Sequence, residues 1–540
     1  MTRRNWTRHG LAWIATAAWL SMTATGTPAF AQGTLRIAMT ATDVPTTTGV
    51  PNNGFEGVRF MGFTGFDSLV LWDLSKADKA ADIVPGLAES WQQDTTDRKK
   101  WVFKLRQGVK FHDGTPFDAD AAMWNLDRTF KQDSKQFDAQ GSAINRGRPT
   151  YIADNGYRKI DAGTIEFTTT RPISYFPYVL TTIFFVSPTA FEKAGSWAEF
   201  AKAPVGTGPF KVANFKPRIS VELIKNPDYW DKNRIPKLDK VVLFPMAEAN
   251  TRLAALRSGQ VDWIEVPPPD GIDGLKKADY AVSINSYPHV WPWVLNQAKA
   301  DSPFRDVKVR QALNYCVDRA GIVTLLNGTA EPSAGFFKPN DPRFGKPTNT
   351  YKFDPVKAKA LLAEAGFGPS KPVKAKIMIS TSGSGQMLPL PMNEFLQQSM
   401  KQCGFEITFE VVEWGTMLVA FRAEPTAPQA ANSDAMNISL VSSDVSMVVR
   451  WFFGDNSTPK GSNWGHWKNP KFDETLLKME GATSADEANQ ILAKMHEMLV
   501  DEAPWLWIVH DGNPRAMTKK VEGFVSAQSW FVDLTRVSLK

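Results

Sequence analysis

The feature that most constrains the fold of this chain is the segment at residues 87–128, which predicts two strands followed by a helix. Trp101, Phe103 and Leu105 occupy every second position, as in a strand that buries one face. A polar run rich in Asp and Thr precedes them and predicts a hairpin turn. Asp118 follows a second turn and is suited to cap the helix. Nothing in the segment is arranged like a catalytic group, so we interpret it as scaffold.

The N-terminus predicts an exported protein. The chain has 540 residues, too many for one ordinary core, so two or three domains are expected. Arg3, Arg4 and Arg8 form a basic start, and an apolar run and a small-x-small site follow. We therefore predict a signal peptide at residues 1–31, cleaved after Ala31. A membrane anchor is disfavoured, because the apolar run of about a dozen residues falls short of the roughly 20 that span a bilayer.

Charge disfavours nucleic acid as a partner. The chain has 62 Lys and Arg, three of them in the predicted signal peptide, against 56 Asp and Glu. The formal balance therefore falls from +6 to +3 when the signal peptide is removed. Proteins that bind nucleic acid usually carry clustered basic surface instead.

The cysteines and histidines give no sign of a metal site. Cys316 and Cys403 each lie on a predicted helix. A disulfide is compatible with export, but two buried free thiols are the favoured interpretation. No two of the five histidines after residue 31 have metal-ligand spacing, and no cysteine lies beside them. We expect no protein-built metal site and no cofactor.

The pattern of elements changes near residue 280, from short strands to longer helices. Asp306 and Asp354 are placed to cap two of these helices. Apolar strands at 377–379 and 407–411 bracket a helix with apolar residues at helical spacing. This arrangement predicts a β-α-β unit with parallel strands.

Nine short blocks are spread in order across nearly all of the chain after residue 31. They are LAESW at 87–91, FKLRQGVKFHDGTPF at 103–117, VGTGPF at 205–210, NPDYW at 226–230, RSGQVD at 257–262, PFRDVKVRQALNYCVDR at 303–319, FDPVKAKALLAEAGF at 353–367, EW at 413–414 and NWGHWKNPKFD at 463–473. Each block alone is weak. In their number and order they resemble the family 5 solute-binding proteins of ABC importers, the dipeptide- and oligopeptide-binding type.

The resemblance implies an α/β, two-lobed periplasmic-binding-protein fold with an extra inserted subdomain. The chain would cross between the lobes twice, and ligand would bind in the cleft between them. The expected boundaries are 32–55 for lobe I, 56–175 for its inserted subdomain, 176–275 for lobe I again, 276–505 for lobe II and 506–540 for the return to lobe I. The first crossing is expected near Pro267, Pro268, Pro269, Gly271 and Gly274.

A closed cleft needs apolar area and a few fixed polar groups. The candidate ligand-binding residues are Trp291, Trp293, Trp414, Asp444, Arg450 and Trp451. The resemblance implies that Trp414 places its indole at the ligand, and that Asp444 matches the Asp that pairs with a peptide's α-ammonium. A guanidinium such as that of Arg450 suits a ligand carboxylate. The alternatives are a cap or loop role for Asp444, a salt bridge for Arg450 and core packing for the tryptophans.

This region also differs from the peptide-binding relatives. Leu440 and Val441 stand where those relatives have a Trp, and the segment at 445–449 is apolar where theirs is acidic and contains Pro. The pocket is therefore expected to be more apolar than theirs.

The function expected is the capture of a small solute, foremost a short peptide, and its delivery to ABC permease subunits in the inner membrane. We expect a periplasmic monomer with no catalytic residues. An opine, glutathione, an oligosaccharide or a metal chelate is the alternative solute. An exported hydrolase is disfavoured, because the chain has no G-x-S-x-G elbow and no evident His-centred triad. A chaperone-like binder with an aromatic surface is the third hypothesis.

Overall fold

The computed structural model describes residues 33–44, 55–144 and 151–540, and the predicted signal peptide lies outside these ranges. The strands are β1 (Thr34–Met39), β2 (Val70–Trp72), β3 (Ile83–Pro85), β4 (Ala88–Gln93), β5 (Lys100–Leu105), β6 (Ile152–Asp161), β7 (Thr164–Thr169), β8 (Phe210–Lys216), β9 (Ser220–Lys225), β10 (Lys240–Pro245), β11 (Trp263–Glu265), β12 (Ala281–Ser283), β13 (His289–Leu295), β14 (Ala330–Pro332), β15 (Val373–Ser380), β16 (Phe405–Val412), β17 (Ala435–Asn437), β18 (Leu440–Val441), β19 (Trp505–Asp511), β20 (Arg515–Met517), β21 (Val521–Glu522) and β22 (Ser538–Leu539).

The helices lie mostly in the second half of the chain. They are α1 (Phe55–Gly57), α2 (Phe63–Gly65), α3 (Ala119–Phe130), α4 (Ala139–Ile144), α5 (Phe176–Val179), α6 (Pro188–Ala194), α7 (Trp197–Phe200), α8 (Ala249–Arg257), α9 (Ile272–Lys277), α10 (Val307–Tyr315), α11 (Arg319–Leu325), α12 (Pro355–Glu364), α13 (Pro389–Lys401), α14 (Trp414–Arg422), α15 (Val445–Phe452), α16 (Pro470–Glu480) and α17 (Ala485–Glu502). A π-helical turn, Val58–Gly62, joins α1 to α2. None of the helices in the described ranges combines the length and the apolar composition needed to cross a bilayer.

The first lobe is built on a seven-stranded sheet in the order β12-β20-β11-β1-β10-β9-β8. The central strand β1 pairs in parallel with both β10 and β11. Its alternate side chains, among them Leu35 and Ile37, are fully buried together with Leu243 and Trp263 of those neighbours. Strand β20, which comes late in the chain, is inserted between β11 and β12, so it shares this sheet with β1, the first described strand.

The second lobe is built on another seven-stranded sheet, in the order β14-β19-β13-β17-β15-β16 with β18 on β13. Strands β15 and β16 pair in parallel from Val373 opposite Phe405 to Ser380 opposite Val412, and α13 connects them. The β-α-β unit predicted from the sequence is confirmed. The helix caps are confirmed as well, since the Asp306 and Asp354 side chains accept hydrogen bonds from the N–H groups of their own helices.

A four-stranded antiparallel sheet, β4-β5-β7-β6, lies between the first-lobe strands β1 and β8 in the chain and forms the inserted subdomain. Trp101, Phe103 and Leu105 of β5 point inward, as their spacing predicts. Asp118 accepts a hydrogen bond from the Ala121 N–H at 2.9 Å and caps α3, which confirms that prediction. The segment at 87–128 is therefore scaffold of this subdomain.

The chain passes from the first sheet to the second later than the sequence suggested. Strand β12 still pairs with β20 in the first sheet, whereas β13 belongs to the second, so the first crossing lies at 284–288. The predicted crossing at Pro267–Gly274 is wrong: a short 3-10 turn and α9 follow the prolines and lead into β12. The second crossing lies at 512–514, between β19 and β20, and we place the lobe boundaries there.

The favoured interpretation of two free thiols is also wrong. Cys316, directly after α10, and Cys403, just after α13, form a disulfide with their Cα atoms 6.2 Å apart. The sequence predicts each cysteine on a helix, whereas each lies just beyond a helix end, and only the packing of the second lobe shows that these two ends meet. The Ser399 hydroxyl donates a hydrogen bond to the Cys316 carbonyl oxygen and joins the same two ends.

Candidate ligand-binding cleft

A cavity of about 520 Å³, the subdomain cavity, lies between the inserted subdomain and the second lobe. The first-lobe side is formed by residues near β3, β4 and α5, and the second-lobe side by residues near α15, α16 and α17. Its charged and aromatic lining residues are Asp82, Arg98, Tyr175, Tyr178, Arg343 and Asp444. Both lobes therefore contribute charges to one space, as a site for a small polar solute requires.

Asp444 occupies the N-cap of α15 and lies on the wall of this cavity. Its carboxylate accepts hydrogen bonds from the Ser446 N–H at 2.9 Å, from the Ser446 hydroxyl and from the Ser443 hydroxyl at 2.7 Å. Only 6% of the residue is exposed, and no Lys or Arg of the described ranges forms an ion pair with it. The helix dipole favours this negative charge, which leaves the carboxylate fixed in position and open to a cationic group. Asp444 therefore caps a helix and also lies on a cavity wall, so one residue occupies both of the positions predicted for it.

Arg343 lines both the subdomain cavity and an adjoining cavity of about 230 Å³. The Asp341 carboxylate holds its guanidinium through two hydrogen bonds of 2.9 and 2.6 Å, and the Phe337 ring lies 4.4 Å below it. No motif in the sequence distinguishes this arginine from the others. A Pro-containing 3-10 turn, Pro342–Phe344, sets its position, and turns of this kind are common throughout the chain.

Tyr178 forms part of the first-lobe wall. Its hydroxyl donates to the Asp82 carboxylate at 2.5 Å. Burial, followed by the hydrogen bond and charge of Asp82, raises the pKa of Tyr178 above its ordinary value. The phenol therefore stays a neutral hydrogen-bonding group at all physiological pH values, and its ring gives the cavity an apolar face.

Of the six predicted residues, Asp444 lines the subdomain cavity, whereas the other five line neither it, nor the adjoining cavity of about 230 Å³, nor a third cavity of about 530 Å³. Trp293, on the central strand β13, donates its indole N–H to the Asn393 side-chain oxygen at 2.7 Å. Trp291 on the same strand is fully buried in the second-lobe core. Both positions agree with the core-packing alternative, and a ligand contact of these two indoles stays a prediction.

The remaining predicted residues lie close to α14 and α15. Trp451 donates its indole N–H to the Val441 carbonyl at 2.9 Å, and the Arg450 guanidinium lies 4.9 Å from the Trp451 ring. Trp414 begins α14 and packs against Gly383, where an added Cβ would come within 2.4 Å of the indole. Ligand contact by these side chains is likewise a prediction.

Gly383 lines the third cavity, of about 530 Å³, whose lining residues also come from both lobes. The first lobe contributes the N-terminus of α8 with Glu248 and the turn with Asp270, and the second lobe contributes an apolar segment at 387–391. Trp414 packs against Gly383 and so supports the wall of this third cavity. The Asn327 side-chain N–H, at the end of α11, donates to the Pro269 carbonyl at 3.0 Å and joins the two lobes beside it.

A buried charged group, the crossing cluster, surrounds both segments that connect the lobes. Its members are Glu56, Arg59, Glu265, Tyr287, Arg515 and Trp530. Arg59 ion-pairs with Glu265, donates to the Tyr287 hydroxyl at 3.1 Å and lies 3.8 Å from the Trp530 ring. Arg515 donates to the other Glu265 oxygen at 2.9 Å. Tyr287 belongs to the first crossing, so the cluster anchors that segment to the first lobe.

The arginines determine the charge state of the crossing cluster. Burial alone would raise the pKa of Glu265, but the charges of Arg515 and Arg59 lower it below its ordinary value. Burial, with the charge of Glu265, raises the pKa of the neighbouring Glu56. His289 stacks on Trp530 with ring centroids 4.8 Å apart, and burial followed by the charge of Arg59 lowers the pKa of His289 well below its usual range.

No metal site is evident in the described part of the chain, where no group of three or more His, Cys, Asp or Glu side chains is placed to hold an ion. His112 and Asp113, which could suggest a catalytic pair, are turn residues. The His112 ring contacts the Gly208 carbonyl at 2.9 Å, and Asp113 accepts from the Ser187 hydroxyl at 2.6 Å. Both side chains hold the subdomain against the first lobe.

Comparison with known proteins identifies the class. The family model of bacterial extracellular solute-binding proteins, family 5 Middle, matches residues 82–474. The chain therefore belongs to the family 5 extracellular solute-binding proteins, as its sequence blocks predict, and it is a transport-associated binding protein rather than an enzyme.

Individual proteins are similar to this chain in sequence or in fold. The glutathione-binding protein GsiB of Pectobacterium atrosepticum is 26% identical over 451 residues, which is 83% of this chain and 84% of that protein. The structure of DppA from Helicobacter pylori in complex with the peptide STSA superposes with a TM-score of 0.80 at 23% identity, covering 94% of this chain and 98% of that one. AgaA in complex with agropinic acid, from A. tumefaciens R10, gives 0.78 at 22%, covering 94% and 99%. The predicted two-lobed α/β fold is confirmed.

Proposed function

We propose that this protein captures a short peptide in the subdomain cavity and delivers it to the permease subunits of an ABC importer in the inner membrane. The observation that carries the proposal is that a carboxylate, Asp444, and a guanidinium, Arg343, both line the wall of one cavity. A peptide's ammonium supplies the cation that Asp444 lacks among the described residues. The peptide's own carboxylate is directed toward Arg343, whose guanidinium is already oriented by Asp341. Charge-assisted hydrogen bonds of this kind are about twice as strong as neutral ones.

Glutathione is the second candidate, because the similar protein from Pectobacterium atrosepticum is named for binding it. Glutathione is a tripeptide with one ammonium and two carboxylates, so it fits the same two charged walls. The structural neighbour with agropinic acid makes an opine the non-peptide alternative.

Lobe closure gives the binding its selectivity. The subdomain cavity has walls on both lobes, so a bound peptide contacts both and favours the closed form by its higher affinity for that form. We further propose that the protein acts as a monomer in the periplasm, after cleavage behind Ala31. Mass spectrometry of the exported protein tests this cleavage, since the mature chain should begin at Gln32.

A thermal-shift panel tests the ligand class, because a ligand that binds only the folded state stabilises it by about 2.7 kcal/mol at 100 times its Kd. The panel contains di-, tri- and tetrapeptides, glutathione, agropinic acid and an oligosaccharide. Peptides or glutathione should raise Tm. If agropinic acid or the oligosaccharide raises Tm and no peptide does, the peptide proposal is wrong.

The Asp444 anchor has a sharper test. Asp444→Asn should weaken binding of a peptide that raises Tm by about 30-fold, or about 2 kcal/mol, because the ammonium loses its counter-charge. N-acetylation of the same peptide removes the ammonium, so wild type and variant should bind the acetylated form equally. Asp120→Asn, an exposed change outside the cavity, is the matched control. An equal loss for free and acetylated peptide would rule out the anchor.

A further inference from the structure

A buried carboxylate of the second lobe, Glu480, binds residues of the inserted subdomain. Arg171 binds both oxygens of Glu480, with Nη2 donating to Oε1 at 2.9 Å and Nε donating to Oε2. The Tyr175 hydroxyl also donates to Oε1. Glu480 is the last residue of α16 and only 1% exposed, whereas the Arg171 side chain is 27% exposed. A fork-to-fork pair of this type is the most directional ion pair available to proteins.

A second arginine of the subdomain binds the end of the same helix. Arg98 donates to the Gly481 carbonyl at 2.9 Å and to the Ala482 carbonyl at 2.8 Å. Carbonyl groups at a helix C-terminus have no intrahelical partner and carry partial negative charge. The Ser174 N–H adds a hydrogen bond of 3.2 Å to the Glu480 carbonyl. The end of α16 is therefore held by side-chain and backbone donors of the subdomain.

The position of these contacts gives them a role in opening and closing. Arg98 and Tyr175 line the first-lobe side of the subdomain cavity, and Met479 and Ala482 line the other side. The chain itself passes between the two sheets at 284–288 and 512–514. The contacts at Glu480 are made by residues far from those crossings in sequence, so separation of the lobes would break them without breaking the chain connections.

We propose that Arg171, Arg98 and Tyr175 form a latch on the end of α16 that favours the closed form before any ligand binds. The proposal rests on lobe closure as the mode of solute capture. The latch joins protein to protein, so its contribution does not depend on which solute is present. A larger closed population raises the apparent affinity for every solute that binds the closed form, because apparent Kd is the intrinsic Kd divided by the fraction that can bind.

The latch can be tested without a ligand. Spin labels are attached at Ala162→Cys in the subdomain and Gln490→Cys on α17, two exposed positions. The mature protein is stripped of solute by unfolding and refolding with its disulfide intact. Pulsed electron paramagnetic resonance then measures the distance distribution. Wild type should be mainly at the short, closed distance. Arg171→Gln and Glu480→Gln should raise the ratio of open to closed protein about tenfold or more, which is about 1.4 kcal/mol.

Arg158→Gln is the matched control. It breaks the Arg158–Glu166 pair between β6 and β7, an Arg–Glu pair that lies within the same subdomain. Its distance distribution should equal that of wild type. If Arg171→Gln fails to fold by circular dichroism, Tyr175→Phe removes one latch hydroxyl and should change the ratio in the same direction.

Two results would overturn the latch: an open distribution in ligand-free wild type, or unchanged distributions in both Glu480→Gln and the arginine or tyrosine variant. Neither result affects the peptide proposal, which the thermal-shift panel decides. Conversely, a panel in which no peptide binds leaves the distance measurement valid, because that experiment contains no ligand.

Discussion

The crossing cluster and the latch use the same chemistry in opposite settings. Both centre on a glutamate that is at least 99% buried, Glu265 in the first and Glu480 in the second, and each binds arginine. The side chain of Arg59 is 2% exposed, whereas that of Arg171 is 27% exposed. The cluster lies within the first lobe around the crossings, but the latch lies between the lobes. The difference shows that the surroundings, rather than the pair itself, decide whether an ion pair is permanent or reversible.

The physical reason is access to water. Removing one partner of a buried ion pair leaves an uncompensated charge, which costs about 3–5 kcal/mol. In the crossing cluster, water reaches that charge only when the first lobe unfolds. At the latch, opening of the lobes hydrates the remaining charge, so the cost is limited to the free-energy difference between closed and open forms.

Arg59→Met should have the largest effect on stability. It removes one of the two arginines that ion-pair with Glu265 and the contacts to Tyr287 and Trp530. We expect the free energy of unfolding to fall by about 3–5 kcal/mol, measured by urea denaturation. Arg158→Gln, whose side chain is 64% exposed, should cost about 1 kcal/mol or less, because water reaches its ion pair with Glu166. Equal losses in the two variants would show that the cluster is hydrated in the folded protein.

The second-largest effect on the free energy of unfolding should come from Asp511 and should depend on pH. Asp511 ends β19 just before the second crossing, and burial raises its pKa from 3.8 to about 6, although the charges of Arg59 and Arg515 oppose this. The folded protein therefore binds this proton more tightly than the unfolded chain. Stability from Asp511 is complete below pH 4 and is lost as pH rises through 6, by up to about 3 kcal/mol.

Asp511→Asn keeps the neutral form at every pH. The free energy of unfolding of the variant relative to wild type should therefore increase between pH 4 and pH 7 by up to about 3 kcal/mol. Denaturation curves at these two pH values measure the difference. A constant difference would mean that water reaches Asp511 and that the region beside the cluster is less buried than the structure indicates.

Arg171→Gln should have a small effect on unfolding, in contrast to its effect on opening. We expect a loss of about 1 kcal/mol or less in urea denaturation, because the open form hydrates Glu480. Hydrogen exchange should instead increase at the backbone of residues 480–482 in the ligand-free protein. If the free energy of unfolding fell by 3 kcal/mol or more, the latch would, like the crossing cluster, stay closed until the protein unfolds.

The smallest effect is expected from Asn327→Gly, which removes the neutral inter-lobe contact to the Pro269 carbonyl beside the third cavity. Asn327 has a φ of 49°, which glycine adopts without strain. A neutral hydrogen bond contributes about 0.5–1.5 kcal/mol. The ratio of open to closed protein should change by less than in Arg171→Gln, in the same distance measurement. A larger change than in Arg171→Gln would show that the Asn327–Pro269 contact, rather than the latch, is the main contact between the lobes.

Local patterns predicted most of the scaffold. Asp118, Asp306 and Asp354 cap helices as predicted, because a cap depends on a side chain and an N–H two or three residues away. The alternation in β5 and the parallel β15 and β16 pair follow from spacing and connection length in the same way. The crossing was misplaced because short strands such as β12 carry too few residues for a pattern to show.

The site was predicted less completely. Asp444 lies on a cavity wall, but Arg343, Tyr178 and Arg98 were not singled out, since no local pattern distinguishes them from other surface residues. Trp291 and Trp293 carry the bulk that a ligand cleft needs, yet the same bulk suits a core, and β13 lies in the middle of its sheet. Side-chain type alone does not separate these two uses.

The sequence by itself determined the family, the two-lobed α/β fold and the caps, because each depends on residues close together in the chain or on many blocks in a fixed order. Only the tertiary structure decided the Cys316–Cys403 bond, the place of the crossings and the pairing of Arg171 with Glu480, which are 309 positions apart. The free energy of such contacts depends on how whole lobes pack and how much water they exclude. No spacing along the chain carries that information.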